Sequence, residues 1–141
     1  MNSPSLPQRS MEWAFALVIG IAIGAVGMHI RQTGRHPVQA AQLLHSDLTG
    51  VPGKEVFMTI IEVKPGAGVA AHLHNGDEFV YVLEGSYERF VEQAHTVASA
   101  GEAFSVEREK VHGGRAAGAG PAKLLTVHVV DKGKPFAEHA K

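Results

Sequence analysis

Two histidines and a glutamate lie within seven residues of each other, in the segment HLHNGDE at positions 72–78. Residues two positions apart in a β-strand project to the same face, so the imidazoles of His72 and His74 point together. Asn75-Gly76 is a strong hairpin signal because both residues accept positive φ, and a tight hairpin would place Glu78 within cross-strand reach of His74. Two imidazoles and a carboxylate that converge form part of a site for a divalent metal ion.

Histidine is unusually frequent in this chain, with nine copies in 141 residues, whereas cysteine is absent. Any metal site here therefore has nitrogen and oxygen ligands and no thiolate. His112, at the start of a later predicted strand, can complete the site. His128 lies on the last predicted strand, where it can line the interior, but we expect it on the surface. The others have no informative spacing: His29, His36, His45, His95 and His139.

The region after residue 45 has no helical periodicity and consists of short apolar runs separated by Gly, Pro and Asn-Gly turns. Eight strands are predicted, at 54–64, 69–74, 78–83, 86–93, 95–98, 103–106, 111–116 and 123–130. Their spacing of about ten residues predicts an all-β sandwich or barrel.

The N-terminal part of the chain differs in character. Residues 13–28 contain no polar or charged side chain, and a helix over 13–30 would span roughly 27 Å, close to the hydrocarbon thickness of a bilayer. We expect a transmembrane anchor or a signal helix there, and favour the anchor because the small-residue cleavage sequence at 38–40 lies far beyond the run. The predicted organisation is a tail at 1–12, the helix at 13–30, a linker at 31–42 and a barrel domain at 43–141.

This organisation carries expectations about partners and location. The apolar run predicts attachment to or export across a membrane, with the barrel in the periplasm or another extracytoplasmic space. The net charge of −1, from 13 basic and 14 acidic residues, gives no electrostatic basis for binding nucleic acid.

The spacing of the candidate ligands resembles the two motifs of the cupin superfamily. The first motif is matched at every position by Gly66-x5-His72-x-His74-x3-Glu78-x6-Gly85. The second is matched in spacing by Gly101-x5-Glu107-x-Glu109-x2-His112-x3-Ala116. In that second motif, Glu107, Glu109 and Ala116 stand where the family has proline, glycine and asparagine. The loop at 107–110 must therefore turn by other means, and we expect it to be solvated at the barrel rim.

The resemblance implies a single antiparallel jelly-roll barrel of six or eight strands, preceded here by the hydrophobic helix. It also implies that a metal ion in the barrel mouth is held by His72, His74, Glu78 and His112. Iron or manganese is the expected metal, and nickel, copper, cobalt or zinc also suit this ligand set.

Two classes of function are compatible with such a site. One is a metal-dependent enzyme, such as a dioxygenase-type oxidoreductase that acts on a small oxygenated compound. The alternative is a non-catalytic envelope sensor or module that binds a small molecule or the metal itself. In either case a small-molecule ligand is expected, and we expect two barrels to pair as a homodimer because a lone barrel has sheet edges to cover.

Overall fold

The computed structural model describes residues 36–140, which contain ten β-strands and no α-helix. The strands are β1 (Val38–Asp47), β2 (Lys54–Val63), β3 (Gly68–Leu73), β4 (Asp77–Glu84), β5 (Ser86–Val91), β6 (Ala94–Ser99), β7 (Ala103–Val106), β8 (His112–Ala116), β9 (Ala122–Asp131) and β10 (Glu138–His139). One sheet has the order β1-β2-β9-β4-β7, the other the order β10-β3-β8-β5-β6, and every pairing is antiparallel. The predicted all-β class is therefore confirmed.

The eight predicted strands correspond to β2–β9, with ends that differ by at most two residues. β1 was not predicted, and it begins at Val38, inside the segment we expected to be linker. It pairs with β2 from Val38 opposite Val63 to Asp47 opposite Glu55. Most of its side chains are exposed. Backbone hydrogen bonds rather than burial hold it in place, and its hydrophobic pattern is correspondingly weak.

The predicted tail and the predicted membrane or signal helix, at 1–12 and 13–30, lie outside the described residues. Within residues 36–140, no helix is long and apolar enough to span a bilayer.

The core lies between the two sheets, because alternate residues of each strand face the opposite sheet. In β4, Val80 and Val82 are buried while Phe79 and Tyr81 face outward. Buried side chains from both sheets form one cluster: Val63, Val80, Val82, Tyr87, Ala98, Ala116, Ala122 and Leu124.

The turn at Asn75-Gly76 exists, but the hairpin predicted from it does not. β3 belongs to one sheet and β4 to the other, so the chain crosses between sheets in the segment 74–76 instead of folding back onto the same sheet. Neither residue has a positive φ. Asn75 acts through its side chain, which accepts a hydrogen bond from the Asp131 N–H at 2.8 Å and donates one to the Pro135 carbonyl at 2.6 Å. The crossing is thereby attached to the C-terminal segment.

Gly76 is required because the chain passes directly over β9. A Cβ atom at this position would lie 2.0 Å from the Val129 carbonyl oxygen and 2.6 Å from the Val130 Cα. Backbone atoms cannot move away as a flexible side chain can.

The loop at 107–110 turns by placing Glu109, where the family's motif has glycine, in the left-handed region at φ 62°. The Glu109 N–H donates to the His74 carbonyl at 2.9 Å, and the Arg108 N–H donates to an Asp77 carboxylate oxygen at 3.0 Å. The side chain of Arg108 also forms an ion pair with Asp131 at 2.7 Å. The backbone of this turn is thus fixed to His74, in the segment that links β3 to β4, and to Asp77, the first residue of β4. These contacts replace the missing proline and glycine.

We predict that Gly76→Ala lowers the free energy of unfolding by about 1–3 kcal/mol, because the added methyl group forces the crossing away from β9. Gly120→Ala is the matched control, since nothing lies within 4 Å of its Cβ position, and we expect a change within about 0.5 kcal/mol. Chemical denaturation of both variants measures the difference. Equal effects of the two substitutions would contradict the close approach at Gly76.

We predict that Glu109→Gly raises the free energy of unfolding by up to about 1 kcal/mol, because glycine adopts the left-handed conformation without the steric cost of a Cβ atom. The exposed contact from Arg108 to the Glu109 carboxylate that is lost contributes little. Glu107→Gly has no positive φ to relieve and should lower stability by about 0.5–1 kcal/mol. Opposite signs for the two variants support the assignment, whereas destabilisation by both argues against it.

Candidate metal centre

Two cross-strand pairs, one on each sheet, form the centre of the site. His72 of β3 lies directly opposite His112 of β8, and Glu78 of β4 lies directly opposite His128 of β9. All four side chains line the cavity between the sheets. The register of two separate ladders therefore places three imidazoles and a carboxylate around one point.

His74 completes the cluster from the crossing between the sheets. Its ring centroid lies 4.8 Å from that of His72, 5.2 Å from that of His112 and 4.4 Å from that of His128. The structure thus brings together all four predicted ligands. Two overlapping triads have donor atoms that lie within 4.8 Å of one another: His72, His74 and His112, and His74, Glu78 and His128.

The three predicted histidine ligands each have one ring nitrogen engaged by the backbone. Their Nδ1 atoms lie 2.7–2.8 Å from the carbonyl oxygens of Ala70, Phe136 and Lys110, for His72, His74 and His112 respectively. A carbonyl only accepts, so each Nδ1 carries the proton and each neutral ring has its lone pair on Nε2. This tautomer presents Nε2 to a metal ion in the way that ligand histidines normally do.

Several buried nitrogens of the cluster have no hydrogen-bond partner among the described residues: Nε2 of His112 and both ring nitrogens of His128. The Glu78 carboxylate is close to both rings, with Oε2 3.0 Å from His112 Nε2 and Oε1 3.3 Å from His128 Nε2. These approaches lack the direction that a hydrogen bond requires. Ligands of one metal ion lie about 3–4 Å apart without bonding to one another, so the residues fit a bound cation.

The charges in the cluster also suit a cation. Burial by itself would raise the pKa of Glu78, but the imidazoles of His112 and His128 outweigh burial and hold that pKa far below its usual range. Burial lowers the pKa of His72, and it lowers the pKa of His74 to about 4. Near neutral pH the centre therefore offers an ionised carboxylate and neutral imidazoles at positions 72 and 74, which are the protonation states a metal requires.

Opposing influences act on His112. Burial lowers its pKa, but the Glu78 carboxylate and the Lys110 carbonyl raise it, and the net direction is upward. Metal ligation at Nε2 requires the neutral ring, so a bound cation would displace a proton that this position otherwise favours.

His128 was expected on the surface, and that expectation is wrong: it is 3% exposed and faces Glu78. β9 is the central strand of its sheet, and the face that carries Leu124, Thr126 and Val130 is the buried one. Both faces of this strand carry apolar residues, so its hydrophobic pattern did not reveal the orientation. The pairing of His128 with Glu78 across the β4–β9 ladder identifies His128 as a residue of the cluster.

The C-terminal segment covers one side of the cluster, and no sequence pattern indicated this. β10 pairs with β3 so that His139 lies opposite His72. The Phe136 ring lies 4.8 Å from the rings of both His74 and His128. The backbone carbonyl of Phe136 accepts the hydrogen bond that the His74 Nδ1–H donates.

A cavity of about 140 Å³ lies beside the cluster. Its walls are mostly apolar, with contributions from Ile61, Val69, Val80, Phe104, Leu124 and Phe136, and one charged side chain other than the cluster residues lines it, Arg89. The arrangement places a group of potential metal ligands at the wall of a small, largely apolar chamber.

Comparison with solved structures identifies this architecture. The fold is similar to a cupin superfamily protein from Desulfitobacterium hafniense (TM-score 0.56, 21% identity, 67% of this chain and 78% of that chain). It is also similar to an uncharacterised protein with a double-stranded β-helix domain from Klebsiella pneumoniae (0.62, 19%, 77% and 89%). An oxalate oxidase is a third similar structure (0.59, 19%, 77% and 57%).

No curated protein is detectably similar to the chain. Residues 59–128 match the family model described as Cupin domain, and this range includes the first three predicted ligands, His112 and His128. With the two-sheet barrel and the His/Glu cluster that can hold a metal, these findings show that the chain carries a cupin domain at residues 59–128.

Proposed function

We propose that the protein is a metal-dependent cupin enzyme that binds one divalent transition metal through the Nε2 atoms of His72, His74 and His112 and the carboxylate of Glu78. The observation that carries this proposal is the set of three Nδ1–H···O=C hydrogen bonds. They fix three convergent rings in the metal-binding tautomer.

His128 extends this ligand set. Its Nε2 lies 3.3 Å from Oε1 of Glu78, and neither of its nitrogens has a hydrogen-bond partner among the described residues. Because this approach lacks the direction of a hydrogen bond, we propose His128 as a fifth ligand. It flanks Oε1 of Glu78, whereas His112 flanks Oε2.

Iron(II) or manganese(II) is the preferred metal because the ligands are imidazole nitrogen and carboxylate oxygen without sulfur. When bound, such an ion supplies a Lewis-acid or redox centre for a small oxygenated substrate or dioxygen. The protein's own contribution is to keep the imidazoles of His72 and His74 neutral, to keep Glu78 ionised and to surround the centre with apolar side chains that exclude water.

The adjoining cavity gives a small molecule access to the centre, which favours catalysis or ligand binding over a purely structural role. Dioxygenase-type oxidoreductase chemistry is the reaction class we propose, and the similarity in fold to an oxalate oxidase supports the oxidoreductase part of it. Attachment to a membrane through residues 13–30, an extracytoplasmic barrel and pairing into homodimers remain predictions from the sequence.

We predict that the purified full chain binds one transition-metal ion per protein, measured by elemental analysis after dialysis. Glu78→Ala and His112→Ala should each weaken metal binding by at least about ten-fold, because each removes a ligand from a small set. His95→Ala is the matched control, since His95 is exposed and outside the cluster, and it should bind as the unmodified chain does.

Circular dichroism of each variant separates loss of a ligand from loss of the fold. A folded unmodified chain without stoichiometric metal, or equal retention of metal by all three variants, would contradict the proposal. Turnover of small oxygenated compounds should disappear on chelation and in His74→Ala. A chain that holds metal but transforms no member of a broad substrate panel would instead favour the non-catalytic sensor.

A further inference from the structure

Arg89 faces the same interior as the His/Glu cluster. It lies on β5 between Tyr87, which is buried in the core, and Val91, which pairs with His112. Arg89 pairs with Gly114 on β8, two residues from His112. The backbone of Arg89 is therefore displaced from that of His112 by roughly 7 Å along the strand direction.

The guanidinium of Arg89 reaches across the barrel to the opposite sheet. Its Cζ lies 4.2 Å from the ring centroid of Phe104, which is one of the apolar walls of the cavity. The ring face attracts a cation but satisfies none of its N–H donors. The Nε atom is buried and has no hydrogen-bond partner in the described part of the chain.

The other two arginines in residues 36–140 are differently placed. Arg108 pairs with Asp131 at 2.7 Å, and Arg115 pairs with Glu88 at 2.7 Å. The Arg89 guanidinium has no carboxylate oxygen within 4.0 Å among residues 36–140. Glu88 precedes it on β5, and Glu78 of β4 lines the same cavity. Burial of the Arg89 Nε–H beside apolar walls without a hydrogen-bond acceptor costs free energy of folding. A cost of this kind is characteristic of a binding site.

We propose that Arg89 is a substrate-binding residue that pairs with a carboxylate group of the substrate. A guanidinium presents N–H donors in a planar fork that matches the two oxygens of a carboxylate. The reaction that follows binding rests on the proposed function. Recognition of the carboxylate depends on Arg89 itself.

The cavity limits the size and character of the substrate. Its volume of about 140 Å³ is close to that of an apolar protein cavity of about 150 Å³ that accommodates benzene, so the substrate has roughly six non-hydrogen atoms. Apolar walls suit a short hydrocarbon body. A phosphate ester is disfavoured because a tetrahedral dianion needs more donors than one guanidinium and these walls supply.

The test compares isobutyrate with isobutyramide, which have the same shape but differ in charge. Titrations of the full chain by calorimetry or NMR, in metal-free and manganese-loaded forms, give both dissociation constants. We expect isobutyrate to bind at least about ten-fold more tightly than isobutyramide in both forms. Arg89→Gln should remove that preference, since an ionic hydrogen bond accounts for a factor of about ten or more.

Three further variants keep the test decisive. Arg115→Gln removes the same charge from an exposed position and should leave isobutyrate binding unchanged. Arg89→Lys keeps the charge but lacks the planar fork, and should retain only part of the preference. Arg89→Met replaces an unpaired cation by an apolar side chain, so it should lose isobutyrate binding while its melting temperature stays equal or rises.

Absence of isobutyrate binding by the unmodified chain, or equal binding by Arg89→Gln and Arg115→Gln, would overturn the inference. A lower melting temperature in Arg89→Met together with unchanged isobutyrate binding would make Arg89 a structural residue and would also overturn it. The metal content of the same samples is a separate readout. If the chain takes up stoichiometric metal but substitution of Arg89 has no effect, this inference alone is refuted. If the preference depends on Arg89 in a chain that takes up no metal when it is supplied, only the proposed metal centre is refuted.

Discussion

The crossing of the chain from one sheet to the other, in residues 74–76, is the constraint on which the rest of the site depends. It places an imidazole-bearing strand and a carboxylate-bearing strand on opposite walls of one cavity. Gly76 allows the close passage over β9, and Asn75 fastens it to the C-terminal segment. The turn that carries Glu109 then attaches to the same crossing through the His74 carbonyl. Local geometry at one connection thus determines which side chains meet.

The burial of the Glu78 carboxylate is the second constraint on the site. Glu78 is buried, and a buried negative charge is costly unless cations or strong donors surround it. His112 and His128 flank it but make no hydrogen bonds of good direction to it. The cluster is therefore incompletely satisfied by its own members, and a divalent cation at its centre would satisfy all of them. Arg89 shows the complementary situation, a cation without an anion, on the wall of the same cavity.

The sequence predicted the strands well because alternation and turn residues are local signals, and eight of the ten strands follow from them. It also predicted which residues meet, since strand parity pairs His72 with His74 and the cupin spacing adds Glu78 and His112. It failed where the decisive contact is between distant segments. An Asn-Gly turn looks the same in a hairpin as in a crossing between sheets, and His128 is identified only by its register opposite Glu78. β1 and β10, exposed on sheet edges, bury too little to leave a hydrophobic pattern.

We propose that one metal ion binds between the two sheets and is held by residues from both. Anomalous diffraction from crystals of the manganese-loaded protein would locate this ion. We expect a single strong peak within about 2.0–2.3 Å of the Nε2 atoms of His72, His74 and His112 and of a Glu78 oxygen. No peak in the cavity, or a peak bound only by exposed groups such as His45 and Glu55, would contradict it.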